Sequence, residues 1–167
     1  MEVHTLVNAS AFNELRKDLL KPNIRKLFYA ITIILMLLGV FFIAVRFYTT
    51  MIICFVGVII LTVELHLISK KQVKVMTKRL YEMYKTDQVE GKLIFTDDML
   101  KTVNLVTKGE LNLSYDIMSR FVETDNYYTL FTKEYQMIII DKQQFDSQTR
   151  TQFLQLVNEK MPQLLKK

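Results

Sequence analysis

The chain has 167 residues, half of them apolar, with four glycines, two prolines and a single cysteine. That length suits one or two small domains, and that composition excludes a disordered chain, a disulfide framework and a cysteine-built metal site. The net charge is +5, but residues 1–86 carry 12 Lys+Arg against 5 Asp+Glu while residues 87–167 carry 10 against 12, so the basic excess flanks the apolar region and is no nucleic-acid footprint.

At the start, "VHTLV" reads as a short strand, and Asn8 or Ser10 can cap a helix through about Leu20. Residues 1–26 are thus a strand and an amphipathic helix. Asn8-Ala9-Ser10 also matches an N-glycosylation pattern, inert if this end is cytoplasmic.

Leu27 to Val45 is free of charge and, as a helix, about 28 Å long, close to the thickness of a bilayer core. Phe47 to Val63 is equally apolar, and Glu64 follows. One helix from Leu27 to Val63 would measure roughly 55 Å, beyond what tilt can absorb. The expectation is a transmembrane hairpin over 27–68, with spans at about 27–45 and 50–68 and a turn near Arg46. Phe47 and Tyr48 beside it suit an interfacial belt. Arg16, Lys17, Lys21, Arg25 and Lys26 precede the spans, and Lys70, Lys71, Lys74, Lys78 and Arg79 follow them, with Arg46 alone between. The positive-inside rule then puts both ends in the cytoplasm of a two-span protein of the cell membrane. Glu64 and His66 are the polar candidates at the end of the second span, as a proton or ion path or as groups snorkelling to water.

Residues 69–88 read as a helical stalk. Val73, Met76, Leu80 and Met83 make an apolar stripe. Its basic residues, Lys70, Lys71, Lys74, Lys78 and Arg79, are the candidate contacts for anionic lipid.

Residues 89–167 read as one cytoplasmic domain. Six β-branched and aromatic runs, from "GKLIF" to "QMIIID", are separated by turn signals and indicate an antiparallel meander. Asp125-Asn126 suits a tight hairpin turn with left-handed residues. A final helix, capped by Asp146 or Ser147, presents Phe153, Leu154, Val157 and Met161 on one face and ends at Pro162. So many strands in so short a stretch imply a bent sheet with an end to cover. The fold class is membrane α+β: a two-helix hairpin, then a small antiparallel β-barrel or roll capped by a C-terminal helix, the plan of a pleckstrin-homology-like domain.

The stretch "LSYDIMSRFVETDNYYTLF", followed by "MIIIDKQQF" and a closing helix, resembles the YcxB-like family of bacterial membrane proteins. The matching motifs are Tyr115-Asp116-Ile117, the hairpin Val122 to Tyr128 and the exit Ile140 to Phe145. Asp141 stands where the family usually has Pro, Gln143 where it has Arg, and Asp98-Met99 where a Gly is common. The resemblance implies a strand and helix, two spans and a pleckstrin-homology-like domain. It implies no activity.

Asp97-Asp98, the only adjacent acidic pair, falls in a turn, where Asp is favoured for backbone reasons. No phosphate loop, nucleophile elbow or metal-ligand spacing occurs, so neither an enzyme nor a cofactor is expected. What remains is a module that docks a protein partner or a second copy beside the membrane. The alternatives are a binder of anionic lipid through its basic helix, or a small accessory or immunity-type membrane protein. Nucleic acid is not among the expected partners.

Overall fold

The computed structural model describes residues 1–164; the last three residues of the expected domain lie outside them. The chain divides into two compact units, one of residues 1–15 with 76–167 and one of residues 16–75.

The second unit is built on two helices. Pro22 opens α2 (Pro22–Ala44) at its first turn, where a missing N–H costs nothing, and Lys21 before it is extended. The helix ends at the arginine the sequence singled out. Arg46 is left-handed, with φ 59°. The Phe47 N–H donates to Phe42 O at 2.9 Å and the Arg46 N–H to Ile43 O at 3.1 Å, the two bonds of a Schellman close. That position usually falls to glycine; here an arginine bears the strain. α3 then runs unbroken over Tyr48–Tyr84, so the expected second span and stalk are one helix. Both helices are long and apolar enough to cross a membrane, with hydropathy 2.7 and 2.5 over their best windows. Their side chains are mostly exposed, but Gly39 is buried, and a Cβ there would lie 3.3 Å from the Phe55 ring. The two helices therefore approach closely at that glycine.

Among the described residues, the first unit holds seven antiparallel strands. β1 (Glu2–Asn8) pairs with β2 (Gln88–Phe95), from Glu2 opposite Ile94 to Asn8 opposite Gln88. β3 (Met99–Asn104) and β4 (Glu110–Ser114) complete a sheet of order β1-β2-β3-β4. β5 (Met118–Glu123), β6 (Tyr127–Thr132) and β7 (Met137–Asp141) form a second sheet. The six runs from "GKLIF" on are the six strands β2 to β7.

Among the described residues the two sheets do not close into a barrel. A 3-10 turn over Tyr115–Ile117 separates β4 from β5, so no ladder joins them. On the other side β1 lies along β7 without a ladder; the Thr5 hydroxyl donates instead to the Ile139 carbonyl.

Two helices complete the unit. α1 covers only Ala9–Glu14, shorter than the helix expected through Leu20, and its cap is Asn8, whose Oδ1 accepts from the Ala11 N–H at 3.0 Å. α4 (Ser147–Lys160) is capped by Asp146, which accepts from the Thr149 N–H at 2.6 Å. α4 sends Phe153 and Val157, joined by Met161 just after the helix, into a core shared with Val3, Leu93, Leu100, Leu113, Tyr128 and Ile140. Leu154, expected on that face, is 37% exposed. Phe153 is the hub, with ring centroids 5.2 to 5.6 Å from Tyr128, Phe145 and Phe95. At β5–β6 the turn closes without left-handed residues: Asp125 and Asn126 are not among the positive-φ positions. Glu14 instead receives the Asn126 N–H at 2.8 Å and its side-chain amide at 3.0 Å.

Candidate functional site

The sequence-level candidates separate in space. Glu64 and His66 are both exposed on α3, and two residues apart they point to different sides. No hydrogen bond or ion pair links them to each other or to another described residue. Lys70, Lys71, Lys74 and Lys78 are exposed and fall within an arc of about 100° around α3. Lys78 reaches Glu82 at 3.5 Å, a solvent-screened pair. Arg79 leaves this group. It lies three residues after Met76 and four before Met83, on the face those two share.

That face borders the feature the sequence did not disclose, an open groove of about 500 Å³ inside the first unit. Strand alternation makes its floor. Val89, Gly91, Leu93 and Phe95 of β2 all turn to the inner side of the sheet. Leu93 and Phe95 enter the core under α4, while buried Val89 and Gly91, half-buried Val7 and exposed Leu111 floor the groove. Met76, Leu80 and Met83 of α3 form one wall, and Met137 to Ile139 of β7 the other.

Several of the polar groups along it are engaged. The Thr5 hydroxyl is held by Ile139, Thr102 donates to Leu111 O at 3.4 Å, and Asn104 Oδ1 accepts from the Val106 and Thr107 N–H groups. Glu90 and Lys92 alternate with buried Val89, Gly91 and Leu93, so their side chains leave by the opposite face of the sheet, where Lys92 pairs with Glu2 at 2.5 Å. Glu90 and Lys92 thus border the groove with their charged ends turned away, which leaves Arg79 as the charged side chain on its side.

The other titratable clusters have structural tasks. Asp97 and Asp98 occupy the β2–β3 turn, closed by Thr96 and Met99. The Tyr115 hydroxyl donates to Thr96 O at 2.7 Å; burial, helped by the charges of Asp97 and Asp98, pushes its pKa up to about 12. Lys142 spans Glu123 at 2.7 Å and the Tyr128 ring at 4.6 Å, while Arg150 donates to the Tyr128 hydroxyl at 2.8 Å. These ties fasten the β5–β6 hairpin to the exit of β7 and to α4. Among the described residues, no three His, Cys, Asp or Glu side chains gather as metal ligands.

The Val122–Tyr128 hairpin, the Ile140–Phe145 exit and α4 thus form one packed assembly, and the comparison with known families falls on it. Residues 95–157 match the family of YcxB-like proteins. The matched segment runs from the end of β2 through most of α4, and includes every member of the Glu123–Tyr128–Lys142–Arg150 cluster. The groove is only partly inside it, since Val7, Met76, Leu80, Met83 and Val89 lie outside the matched residues. No curated protein matches the chain. A solved structure, the C-terminal domain of an unknown protein from Leishmania infantum, is similar over 49% of this chain and 74% of that one, at 16% identity and a TM-score of 0.35.

Proposed function

We propose that this is a non-enzymatic integral membrane protein of the cytoplasmic membrane, whose first unit is a pleckstrin-homology-like module that docks a protein partner at the inner surface. A four-stranded and a three-stranded sheet closed by a C-terminal helix support the pleckstrin-homology-like reading. The register of β1 on β2 supports a paired crossing: Asn8 and Gln88 are sheet neighbours, so the chain leaves and re-enters one sheet, which requires an even number of spans. The basic residues before α2 and after its partner span favour the cytoplasmic side for that sheet.

The observation that carries the docking role is β4. It ends its sheet, four of its five residues are exposed, and the β3–β4 connection beside it exposes Leu105 and Val106. A bare edge next to apolar side chains is what an added partner strand uses, and what an edge meant to stay unpaired avoids.

The test is crosslinking in cells, with the full chain recovered from membranes. One stoichiometric protein, lost on Asn112→Lys and Val106→Lys, is the expected result. Recovery of this chain and bulk lipid alone overturns it. A second reading rests on the shared exposed face of Lys70, Lys71, Lys74 and Lys78, which suits contact with anionic lipid. Replacing these four by Gln leaves partner capture intact under the docking reading and abolishes function under the lipid one.

A further inference from the structure

We propose that the groove in the first unit holds a single-chain anionic amphiphile, with its carboxylate or phosphate on Arg79 and its hydrocarbon chain along Met76, Met83, Leu111 and Met137. The site meets β4 at Leu111, on the inner face of the sheet, and uses neither the free backbone edge of that strand nor the lysine face of α3.

Size is the first argument. About 500 Å³ lies within the range of small-molecule pockets, roughly 300–1,000 Å³. Chemistry is the second. A peptide brings backbone donors and acceptors along its whole length that need partners once dry, and here the hydroxyls of Thr5 and Thr102 and the oxygen of Asn104 are already bound within the domain, which leaves it little beyond the Tyr84 hydroxyl and the Gln136 amide. A hydrocarbon chain makes no such demand. The flexible thioethers of Met76, Met83 and Met137 adapt to a chain of variable length and bend.

Charge is the third argument, and it selects the headgroup. Arg79 has no hydrogen-bond or ion-pair partner among the described residues. Glu82, three residues on along α3, lies 3.5 Å from Lys78, and Glu90, which borders the groove, alternates with buried Val89 and Gly91 so that its side chain points to the opposite face of the sheet. An unmatched guanidinium beside an apolar groove complements an anion, which it can grip through two parallel bonds. A neutral chain would leave it unused.

The experiment uses the full chain in amphipol with palmitate bearing a photoreactive group in its tail, and the corresponding long-chain alcohol as the uncharged probe. Expected adducts map to Met76, Met83, Leu111 and Met137. Arg79→Ala should raise the half-saturating palmitate concentration about tenfold, as loss of a charge-assisted bond predicts. Arg79→Lys should recover part of that loss, and the alcohol should be indifferent to both changes. Adducts confined to residues 22–63, or palmitate labelling unchanged by Arg79→Ala, overturn the proposal. So does a protein crosslinked in cells to a photoreactive residue at position 83, since that would make the groove a peptide site.

Discussion

Glu14 shows how much one side chain decides. Burial alone would raise its pKa, but hydrogen bonds from Thr124, Asn126 and Asp125 outweigh it and hold the carboxyl below its usual 4.5. A depressed carboxylate adds stability that is complete above its unfolded value and fades as pH falls through the folded one. The wild type should therefore exceed Glu14→Gln in thermal midpoint at neutral pH, with the gap narrowing as pH falls below the usual carboxylate value of 4.5. A gap independent of pH would mean that the contact acts through packing alone. The same contact explains the hairpin turn. Asp-Asn suggested left-handed backbone, a local inference; the carboxylate that claims the Asn126 N–H comes from 112 residues earlier. Arg46 is the converse case. Its charge marked the turn correctly, while its left-handed backbone, in a place where glycine is usual, left no trace in the sequence.

Among the elements, α4 gives the sharpest contrast. Phe153 is fully buried amid four aromatic rings and Leu154 next to it is 37% exposed, although helical spacing placed both on one face. Phe153→Ala should cost about 3–5 kcal/mol and Leu154→Ala about 1 kcal/mol or less, read from chemical denaturation of the first unit's signal in the full chain. Equal losses would mean that α4 is seated differently. The strands were legible because alternation, β-branched runs and turn residues are local signals. Neither the pairing of β1 with β2 nor the break at Tyr115–Ile117 that leaves the sheets open has such a signal. The groove stayed hidden for that reason: its floor combines Val7 with Val89 and Leu111, and only the long-range pairing makes them neighbours.

At the scale of the molecule, the first unit is discontinuous. Residues 16–75 interrupt it between its first two strands. A fragment of residues 89–167, the natural choice from sequence, lacks β1, removes Val3 from the core and bares one edge of β2. It should aggregate or remain partly unfolded. Residues 1–15 joined through a flexible linker to 76–167 should give a soluble monomer with dispersed amide resonances. If the shorter fragment is equally well ordered, β1 is dispensable to the fold.

The ladder between Asn8 and Gln88 also sets a timetable. At about 5–20 residues per second, β2 leaves the ribosome roughly 4–16 s after β1. Both apolar helices emerge within that interval, so the sheet cannot close over them or ahead of them. The first strand waits, unpaired, as a record that the helices are still to come, and the domain is completed only in chains that have already made them.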